Sequence, residues 1–369
     1  MIDKDLLKKL CLAFGPSGNE DEVRNIIIGE IKDYADDYYT DKTGNLIAFK
    51  KGGKVPEKKR LFAAHMDEVG FMISSVDGEG YLRFKTLGGI ESSVILGKQA
   101  IVGDKRFSAV FGGKPVHLLK NDANKARSLD NIYLDIGARK KEDKKDTDKS
   151  EKTDKTDKND KNDKTDEKKK ENKEEQKPVE VGEFAVFRSD FMEFGQHKVK
   201  CKAIDDRFGC CVLIEMIKSK LAYDSYFAFT ICEEIGLRGA KTAANVVKAD
   251  AAVIFEATAA GDIYDKKEKN KICSVGGGAV ISVMDTMTIY NKNLVNLAFE
   301  TAGKNNIKVQ AKQGITGGTD AGAVQRAGKG VEVLGISLPT RYIHSPSCVA
   351  DFGDMEECLK LALEMEKLI

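Results

Sequence analysis

Residues 60–70 have the sequence RLFAAHMDEVG, and two different kinds of sequence meet there. The run LFAA ahead of His65 is apolar without alternation, which predicts a strand covered on both faces, as in a parallel sheet between layers of helices. After Gly70 come short runs separated by glycine, beginning with FMISSVDGEGYLRF, and these predict strand–turn–strand structure. The stretch therefore marks the point where an α/β core passes into a β module.

The α/β pattern occupies both ends of the chain. Apolar residues at helical spacing predict helices near the N-terminus and over 19–35, 208–219, 239–247, 294–304 and 354–369. Short apolar runs predict strands over 45–50, 60–65, 226–232, 251–255 and 331–337. We therefore expect one α/β domain built from residues 1–69 and 199–369, interrupted by an inserted β domain over 70–198.

A highly charged segment lies inside the β module. Residues 140–177 contain 15 Lys and 14 Asp or Glu and no apolar side chain, and near-identical triplets such as DKT and DKN repeat within it. Such a composition cannot bury enough apolar surface to offset chain entropy, so we expect disorder. Its charges alternate in sign, which favours a tolerated loop expansion over a binding segment.

The overall composition excludes several classes of protein. A formal net charge of +1 provides no global basic field for nucleic acid. No run approaches the ~20 apolar residues that a membrane span needs, and the N-terminal residues lack the apolar core of a signal peptide. The eight Cys form no CxxC pair, which favours reduced thiols in a cytoplasmic protein. We therefore expect neither a nucleic-acid nor a membrane partner.

Candidate catalytic groups lie at the predicted ends of strands. His65 and Asp67 are two residues apart, so a strand would place them on one face, where a carboxylate can orient a metal-binding imidazole. Acidic pairs occur at Asp205-Asp206 and at Glu233-Glu234. Taken singly, each motif is more typical of a hydrogen-bonded surface pair or of solvated loop acids.

Glu256 and His344 extend the set, since Glu256 ends the apolar run AAVIF and His344 lies in the turn RYIHSPS. The carboxyl ends of strands are where ligand sites of α/β proteins lie. Two imidazoles and several carboxylates could hold two divalent ions about 3.5–4 Å apart. Nitrogen and oxygen ligands without thiolate favour Zn, Co or Mn. The sequence therefore predicts a dinuclear metal site.

Two glycine-rich runs need separate interpretations. SVGGGAV (274–280) and GITGGTDAGA (314–323) both lack the GxxxxGK[ST] pattern of a phosphate-binding loop. The second run could allow close approach of a substrate to the backbone before a helix begins at Asp320, and we expect residues 317–320 to line the pocket. No GxSxG motif of a serine hydrolase is present.

Five motifs in order, AHMDEVG, AIDDRFG, CEEIGLRGA, GGTDAGA and PTRYIHSP, give the chain its family resemblance. The chain resembles the cobalt- or zinc-dependent tetrahedral aminopeptidases, a family that includes glutamyl aminopeptidases and proteins labelled FrvX or endoglucanase M. The resemblance covers nearly the whole chain except the charged segment. It implies a phosphorylase/hydrolase-like α/β/α catalytic domain with an inserted PDZ-like β-barrel domain that serves dimerisation. It also implies assembly of the dimers into a dodecamer.

The resemblance also implies a role for each candidate residue. The ligands of one ion would be His65 and Glu256, those of the second Glu234 and His344, and Asp205 would bridge both ions. Glu233 would be the general base, Asp67 would orient His65, and Asp206 would support Asp205. Many relatives have Asp at the position of Glu256, so metal affinity or metal choice could differ in this chain.

Three hypotheses for function follow. In the first, the protein is a metalloaminopeptidase that removes N-terminal residues of unspecified type from peptides, using two metal ions and Glu233 as the base. In the second it hydrolyses glycans, which requires two carboxyl groups flanking the bond and no metal pair. In the third it is a non-catalytic shell that retains the fold. A panel of aminoacyl substrates tested with Zn, Co and Mn separates the three.

Deletion of residues 140–177 tests whether the charged segment is inert. We expect the shortened chain to fold and to keep its catalytic activity, because the segment contributes no apolar residue to a core. Thermal unfolding, peptidase assays and light scattering measure the three properties. Loss of the assembled particle on deletion would assign the segment a role in assembly instead.

Overall fold

The computed structural model describes residues 1–115, 128–137, 179–263 and 271–369. The charged segment 140–177 lies outside the described residues, so the expectations for it stay predictions. Within the described ranges, the strands form an eight-stranded sheet, a closed six-stranded barrel and a small three-stranded sheet. No helix among the described residues combines the length and apolar character required to cross a membrane.

The eight-stranded sheet forms the centre of the α/β part. Its strands in spatial order are β1 (Asp37–Thr40), β2 (Leu46–Lys50), β12 (Ser225–Thr230), β3 (Arg60–His65), β13 (Ala251–Ala259), β16 (Glu332–Thr340), β14 (Ala279–Ile281) and β15 (Val309–Ala311). The four central strands β12, β3, β13 and β16 are parallel. Their carboxyl ends therefore meet at one edge of the sheet, as expected for a binding site in this type of fold.

Helices cover this sheet on both sides, which the burial of every residue of β3 requires. They are α1 (Lys4–Leu12), α2 (Asp21–Ile31), α4 (Ile204–Lys218), α5 (Ala240–Val247), α6 (Lys292–Lys304), α7 (Asp320–Val324) and α8 (Phe352–Glu366). Side-chain caps fix several of the starts: Asp3 accepts from the backbone N–H groups of Asp5 and Leu6, and Asn291 caps α6 in the same way.

The barrel consists of β4 (Gly70–Val76), β5 (Leu82–Leu87), β8 (Ile132–Asp135), β7 (Phe107–Gly113), β6 (Gln99–Val102) and β9 (Phe184–Phe187). It has its own apolar core, in which the rings of Phe71, Phe84, Phe111 and Phe187 pack edge-on or tilted at centroid distances of 4.7–5.7 Å. A short helix, α3 (Ser92–Ile95), interrupts the β pattern. The small sheet contains β10 (Met192–Phe194), β11 (Lys198–Cys201) and β17 (Cys348–Asp351).

Several predicted boundaries differ from the structure. The strand expected over 226–232 ends at Thr230, because Cys232 has a φ of 53° and the chain turns there. The strand expected to end near Phe255 continues to Ala259, so Glu256 lies within β13 and not after it. The helix expected over 19–35 spans only Asp21–Ile31.

A buried group of charges ties the N-terminal residues to the start of α4. Lys202 Nζ lies 2.5 Å from Glu68 Oε1 and 2.9 Å from the carbonyl oxygen of Ala13. Arg207 is fully buried and donates to the carbonyl oxygens of Leu10 (2.6 Å) and Gly15 (3.1 Å), and its Nη2 lies 3.4 Å from Glu68 Oε1. These contacts hold the loop that follows α1 against the motif AIDDRFG.

Arg207→Met is expected to lower the free energy of unfolding by about 1–3 kcal/mol, because Lys202 still pairs with Glu68 but the buried carbonyl oxygens of Leu10 and Gly15 lose their charged donor. Lys360→Met is the matched control. Lys360 pairs with Glu357 on the exposed side of α8 at 2.8 Å, and its loss should cost less than about 0.5 kcal/mol. Chemical denaturation measures both, and equal effects of the two substitutions would contradict the importance of the buried charges.

Candidate metal centre

His65 occupies the last position of β3, at the carboxyl edge of the sheet. Its Nδ1 lies 3.1 Å from the carbonyl oxygen of Asp67 and 3.4 Å from Asp67 Oδ1. Its Nε2 lies 3.3 Å from Asp205 Oδ1 and 3.5 Å from Glu256 Oε2. A proton on Nδ1 that is donated to Asp67 leaves the Nε2 lone pair directed at the carboxylates, which is the arrangement of a metal-binding histidine.

Asp205 lies between the two imidazoles. While its Oδ1 faces His65, its Oδ2 lies 3.5 Å from Nε2 of His344. The same Nε2 of His344 is 3.3 Å from Glu234 Oε2, and Nδ1 of His344 donates to the carbonyl oxygen of Gly89 at 2.8 Å. The five residues predicted as metal ligands thus form a continuous series of contacts, in the order Glu256, His65, Asp205, His344 and Glu234.

Asp67 connects His65 to the acidic pair after β12. Its Oδ1 accepts from the backbone N–H of Glu233 at 3.0 Å and its Oδ2 from that of Glu234 at 3.2 Å. The Ser17 hydroxyl also donates to Oδ2 at 2.6 Å. One buried carboxylate therefore fixes both an imidazole and the turn that carries two glutamates. The sequence indicated only its contact with His65.

Two groups of residues could each hold a metal ion. Within each group, the potential ligand atoms all lie within 4.8 Å of one another. One group is His65, Asp205 and Glu234, and the other is His65, Asp206 and Glu256. Asp206 was expected only to support Asp205, but its carboxylate is fully buried among these groups. Its Oδ1 accepts from the N–H of Gly209 at 3.0 Å, whereas Oδ2 has no hydrogen-bond partner among the described residues. The Asp205–Asp206 peptide is cis.

The electrostatics of the protein without metal show why cations fit. Burial raises the pKa of Glu234 to about 8, and burial together with Glu256 raises the pKa of Asp320 to about 7. Burial and Glu256 also raise the pKa of Glu233. Burial acts in the same direction on Asp205, but the imidazoles of His344 and His65 hold the pKa of that carboxyl below its usual value. The buried, unpartnered Asp206 oxygen and this crowding of carboxylates match a donor set for divalent cations.

A cavity of about 440 Å³ opens over this cluster. The residues that line it include Asp205, Glu233, Glu234, Glu256, His344, Lys312, Gly317, Gly318 and Thr319. The expectation that residues 317–320 line the pocket is wrong for Asp320, which is fully buried beneath it. Asp320 accepts from the Thr230 hydroxyl at 2.6 Å and donates its backbone N–H to Glu256 Oε1 at 3.3 Å.

Glu233 differs from the other carboxylates in its contacts. Its side chain lines the cavity and is 9% exposed, and the carboxylate has no hydrogen-bond partner among the described residues. The backbone contact with Asp67 holds the residue in place. Glu233 therefore presents an unengaged carboxylate to the cavity, as a general base requires.

The structure adds functional neighbours that the sequence analysis missed. Ser17 follows the Gly-Pro turn after α1, and Thr230 ends β12. Both bind carboxylates of the site through their hydroxyl groups. A hydroxyl residue at a strand end or after a turn is too common to identify a site. Lys312 lies two residues before the glycine-rich run, and that position was its only signal.

The chain matches the sequence profile described as M42 glutamyl aminopeptidase over residues 44–150 and 146–361. The chain belongs to the M42 family. Membership in M42 makes it a peptide hydrolase of the aminopeptidase type and implies the use of divalent metal.

Relatives of this M42 peptidase cover nearly its whole length. A protein of Acetivibrio thermocellus named as an aminopeptidase is 36% identical over 98% of the chain and 97% of its own length. Lysyl aminopeptidase of Pyrococcus furiosus is 28% identical, over 98% and 96% of the two chains.

Solved structures agree with the fold. The TET aminopeptidase of a marine sediment archaeon, Thaumarchaeota archaeon SCGC AB-539-E09, aligns with a TM-score of 0.86 and 33% identity over 99% of this chain and 96% of its own. The TET1 peptidase of Pyrococcus horikoshii, described as able to assemble into a tetrahedron or a large octahedral shell, aligns with a TM-score of 0.79 and 32% identity over 99% of both chains. The α/β fold with its barrel is therefore that of the TET aminopeptidases.

Metal binding to the metal-free protein is expected to strengthen as pH rises and to release protons. Although burial lowers it, the contacts with Asp205 and Glu234 raise the pKa of His344 to about 9, and that of Glu234 is about 8. These groups hold protons at neutral pH and must lose them to bind an ion, so the affinity should rise from pH 7 to about pH 9.

Calorimetric titration with Zn in buffers of different ionisation enthalpy measures this proton release. His197→Asn is the matched control, since His197 is exposed and has a φ of 61°, which Asn tolerates. This variant should release as many protons as the wild type. An affinity independent of pH would contradict the predicted protonation of the site.

Proposed function

We propose that this peptidase removes N-terminal residues from peptides with the aid of two divalent metal ions. The ions would be Zn or Co, and Mn would also suit the donor set. The proposed ligands are His65, Asp205, Glu234, Glu256 and His344. One observation carries the proposal: the two oxygens of Asp205 face two different imidazoles, at 3.3 and 3.5 Å. A carboxylate in that position can bridge two ions. Ions bound there would lower the pKa of a water molecule and polarise the scissile carbonyl.

Glu233 is the proposed general base. Its carboxylate accepts the proton of the attacking water and later delivers it to the leaving amine. A carboxylate engaged as a ligand has less capacity for this transfer, which separates Glu233 from Glu234. Asp67 acts as a positioning residue, because it holds Nδ1 of His65 and the backbone of Glu233.

A hydrogen bond from the backbone positions the longer side chain that Glu has at position 256. The backbone N–H of Asp320 donates to Oε1 at 3.3 Å, so Oε2 remains near Nε2 of His65 at 3.5 Å. The longer side chain therefore still presents an oxygen to the site, which supports its assignment as a ligand. The contact also gives Asp320 a positioning role.

The architecture and assembly form a second part of the proposal. We propose that residues 1–69 and 199–369 form the catalytic domain and that 70–198 form a PDZ-like domain that serves dimerisation. The barrel between Gly70 and Phe187, with a core of its own, supports this division. Dimers would assemble into a closed dodecamer, a proposal supported by the tetrahedron of the Pyrococcus horikoshii relative. Eight free cysteines support the proposal of a cytoplasmic location.

The alternative hypotheses have less support. Glycan hydrolysis needs two carboxyl groups flanking the bond and no imidazole contact, whereas here four carboxylates contact a histidine. A non-catalytic shell would need no unengaged glutamate over a metal centre. Chelator-insensitive release of sugar from cellulose would favour the former, and inactivity on a broad aminoacyl panel with Zn, Co and Mn would favour the latter.

Glu233→Gln tests the general base. We expect the variant to bind both ions, since no proposed ligand changes, and to lose about 10²–10⁴-fold in kcat. Elemental analysis and peptidase assays measure the two properties. Glu364→Gln is the control: Glu364 pairs with Lys367 at 2.6 Å on the protein surface, and kcat should stay at the wild-type value. Full activity of Glu233→Gln would show that another group is the base.

A further inference from the structure

A second cavity lies at the opposite edge of the eight-stranded sheet from the metal centre. It encloses about 460 Å³, and no residue that lines it also lines the cavity over the metal centre. Arg60, the first residue of β3, lies in its wall, whereas His65 is the last residue of that strand. Along an extended strand, the α-carbons of these two residues are about 16 Å apart. The second cavity is therefore a separate feature, and the reaction at the metal centre gives it no role.

Arg60 is buried, and one edge of its guanidinium makes no hydrogen bond. Only 3% of the residue is exposed. Its Nη1 donates to the backbone carbonyl oxygen of Glu366 and lies 3.5 Å from Oε1 of the same residue. Nε and Nη2, whose N–H groups point in parallel from the other edge, have no acceptor among the described residues. Such a pair of donors has the geometry that binds the two oxygens of a carboxylate.

The neighbours of Arg60 hold its guanidinium in place and leave that edge unused. The ring of Tyr223 lies against the guanidinium, with 4.6 Å between the guanidinium carbon and the ring centroid. The carboxylate of Glu366 is fixed on the Nη1 side, because it accepts from the backbone N–H groups of Tyr223 at 2.9 Å and Ala222 at 3.0 Å. Buried donors without an acceptor cost free energy, which a ligand that supplies an acceptor recovers. The edge is also ordered before a ligand arrives, which lowers the cost of binding.

The two lysines that line the cavity are already paired. Lys58 lies 2.8 Å from Glu332, and Lys367 lies 2.6 Å from Glu364. Each of these ammonium groups therefore has a carboxylate of its own. Arg60 is the lining cation that offers an anion a parallel pair of unused donors.

Apolar and acidic side chains define the rest of the ligand. Val55, Leu294 and Leu368 give the cavity an apolar wall. Glu57 is exposed at the same cavity, and no cation in the part of the chain that the structure describes lies within 4.0 Å of its carboxylate. A ligand that matches these groups has a carboxylate for the guanidinium, an apolar body and an ammonium for Glu57. A free apolar amino acid combines all three.

We propose that the cavity beside Arg60 is a second ligand site of this peptidase and binds a free amino acid with an apolar side chain. The carboxylate of the ligand accepts from Nε and Nη2 of Arg60, and its side chain contacts the apolar wall. Free amino acids are products of an aminopeptidase, so the reaction itself supplies the ligand. Binding at this site requires no metal ion, because none of the proposed metal ligands lines the cavity.

Titration calorimetry with leucine tests the site in the full-length protein. We expect leucine to bind at this site in the metal-loaded enzyme and to bind there equally well after treatment with a chelator. 4-Methylpentanoate, which lacks the amine, should still bind. 3-Methylbutylamine, which lacks the carboxylate, should bind at least about tenfold more weakly than leucine, as for the loss of a charge-assisted hydrogen bond. Inorganic phosphate that binds as tightly as leucine would reveal a general anion site and contradict the inference.

Two substitutions test where the ligand binds. Arg60→Lys keeps the positive charge but removes the parallel donors, so leucine and 4-methylpentanoate should both bind at least about tenfold more weakly. Leu368→Asp adds a carboxylate to the cavity at a residue that is 52% exposed, and it should weaken both ligands even if the variant of the buried Arg60 fails to fold. Val181→Asp is the matched control, because Val181 is 64% exposed and does not line this cavity, and it should keep the wild-type affinity.

Glu57→Gln tests the contact with the amine, and it should weaken leucine while leaving 4-methylpentanoate unchanged. Absence of leucine binding to the chelator-treated protein would overturn the inference, as would equal affinities of the wild type and Leu368→Asp. Neither result would affect the proposed function, because the calorimetry of the metal-free protein does not depend on peptidase activity.

Discussion

Electrostatic repulsion among buried carboxylates is the constraint on which the site depends. Several acidic side chains share one edge of the sheet, and desolvation makes their simultaneous ionisation costly. Two imidazoles of the described residues lie among them: His65 contacts three carboxylates and His344 contacts two. Divalent cations remove this repulsion by supplying positive charge at the centre of the cluster. The arrangement of the acids therefore favours metal binding, because bound cations relieve the repulsion that this arrangement creates.

Asp67 connects the chain segments that surround these carboxylates. Its carboxylate accepts hydrogen bonds from Ser17 and from two backbone N–H groups, and it also contacts His65. These contacts join the loop after α1, the end of β3 and the turn after β12. A single residue thus connects segments that lie far apart in the chain. Lys202 and Arg207 add a second connection behind the site, through Glu68.

The barrel takes part in the site and is not merely attached to it. At Gly70, the first residue of β4, a Cβ atom would lie 2.8 Å from Pro16 and 2.9 Å from the carbonyl oxygen of Ala185, so close packing requires glycine there. After β5, the carbonyl oxygen of Gly89 accepts from His344. Gly89 also lines the cavity. Because β4 begins three residues after Asp67, the barrel is a neighbour of the carboxyl edge of the sheet.

The sequence by itself determined the α/β core, the β module and the side chains that gather at the carboxyl edge. Continuous apolar runs specify strands buried on both faces, and parallel strands necessarily end together, so His65 and Glu233 could be assigned to one edge. Only the tertiary structure decided that Asp206 lies among the candidate metal ligands, that Asp320 is buried and does not line the cavity, and that Lys312 does line it. These placements depend on contacts between distant segments, and local periodicity carries no information about such contacts.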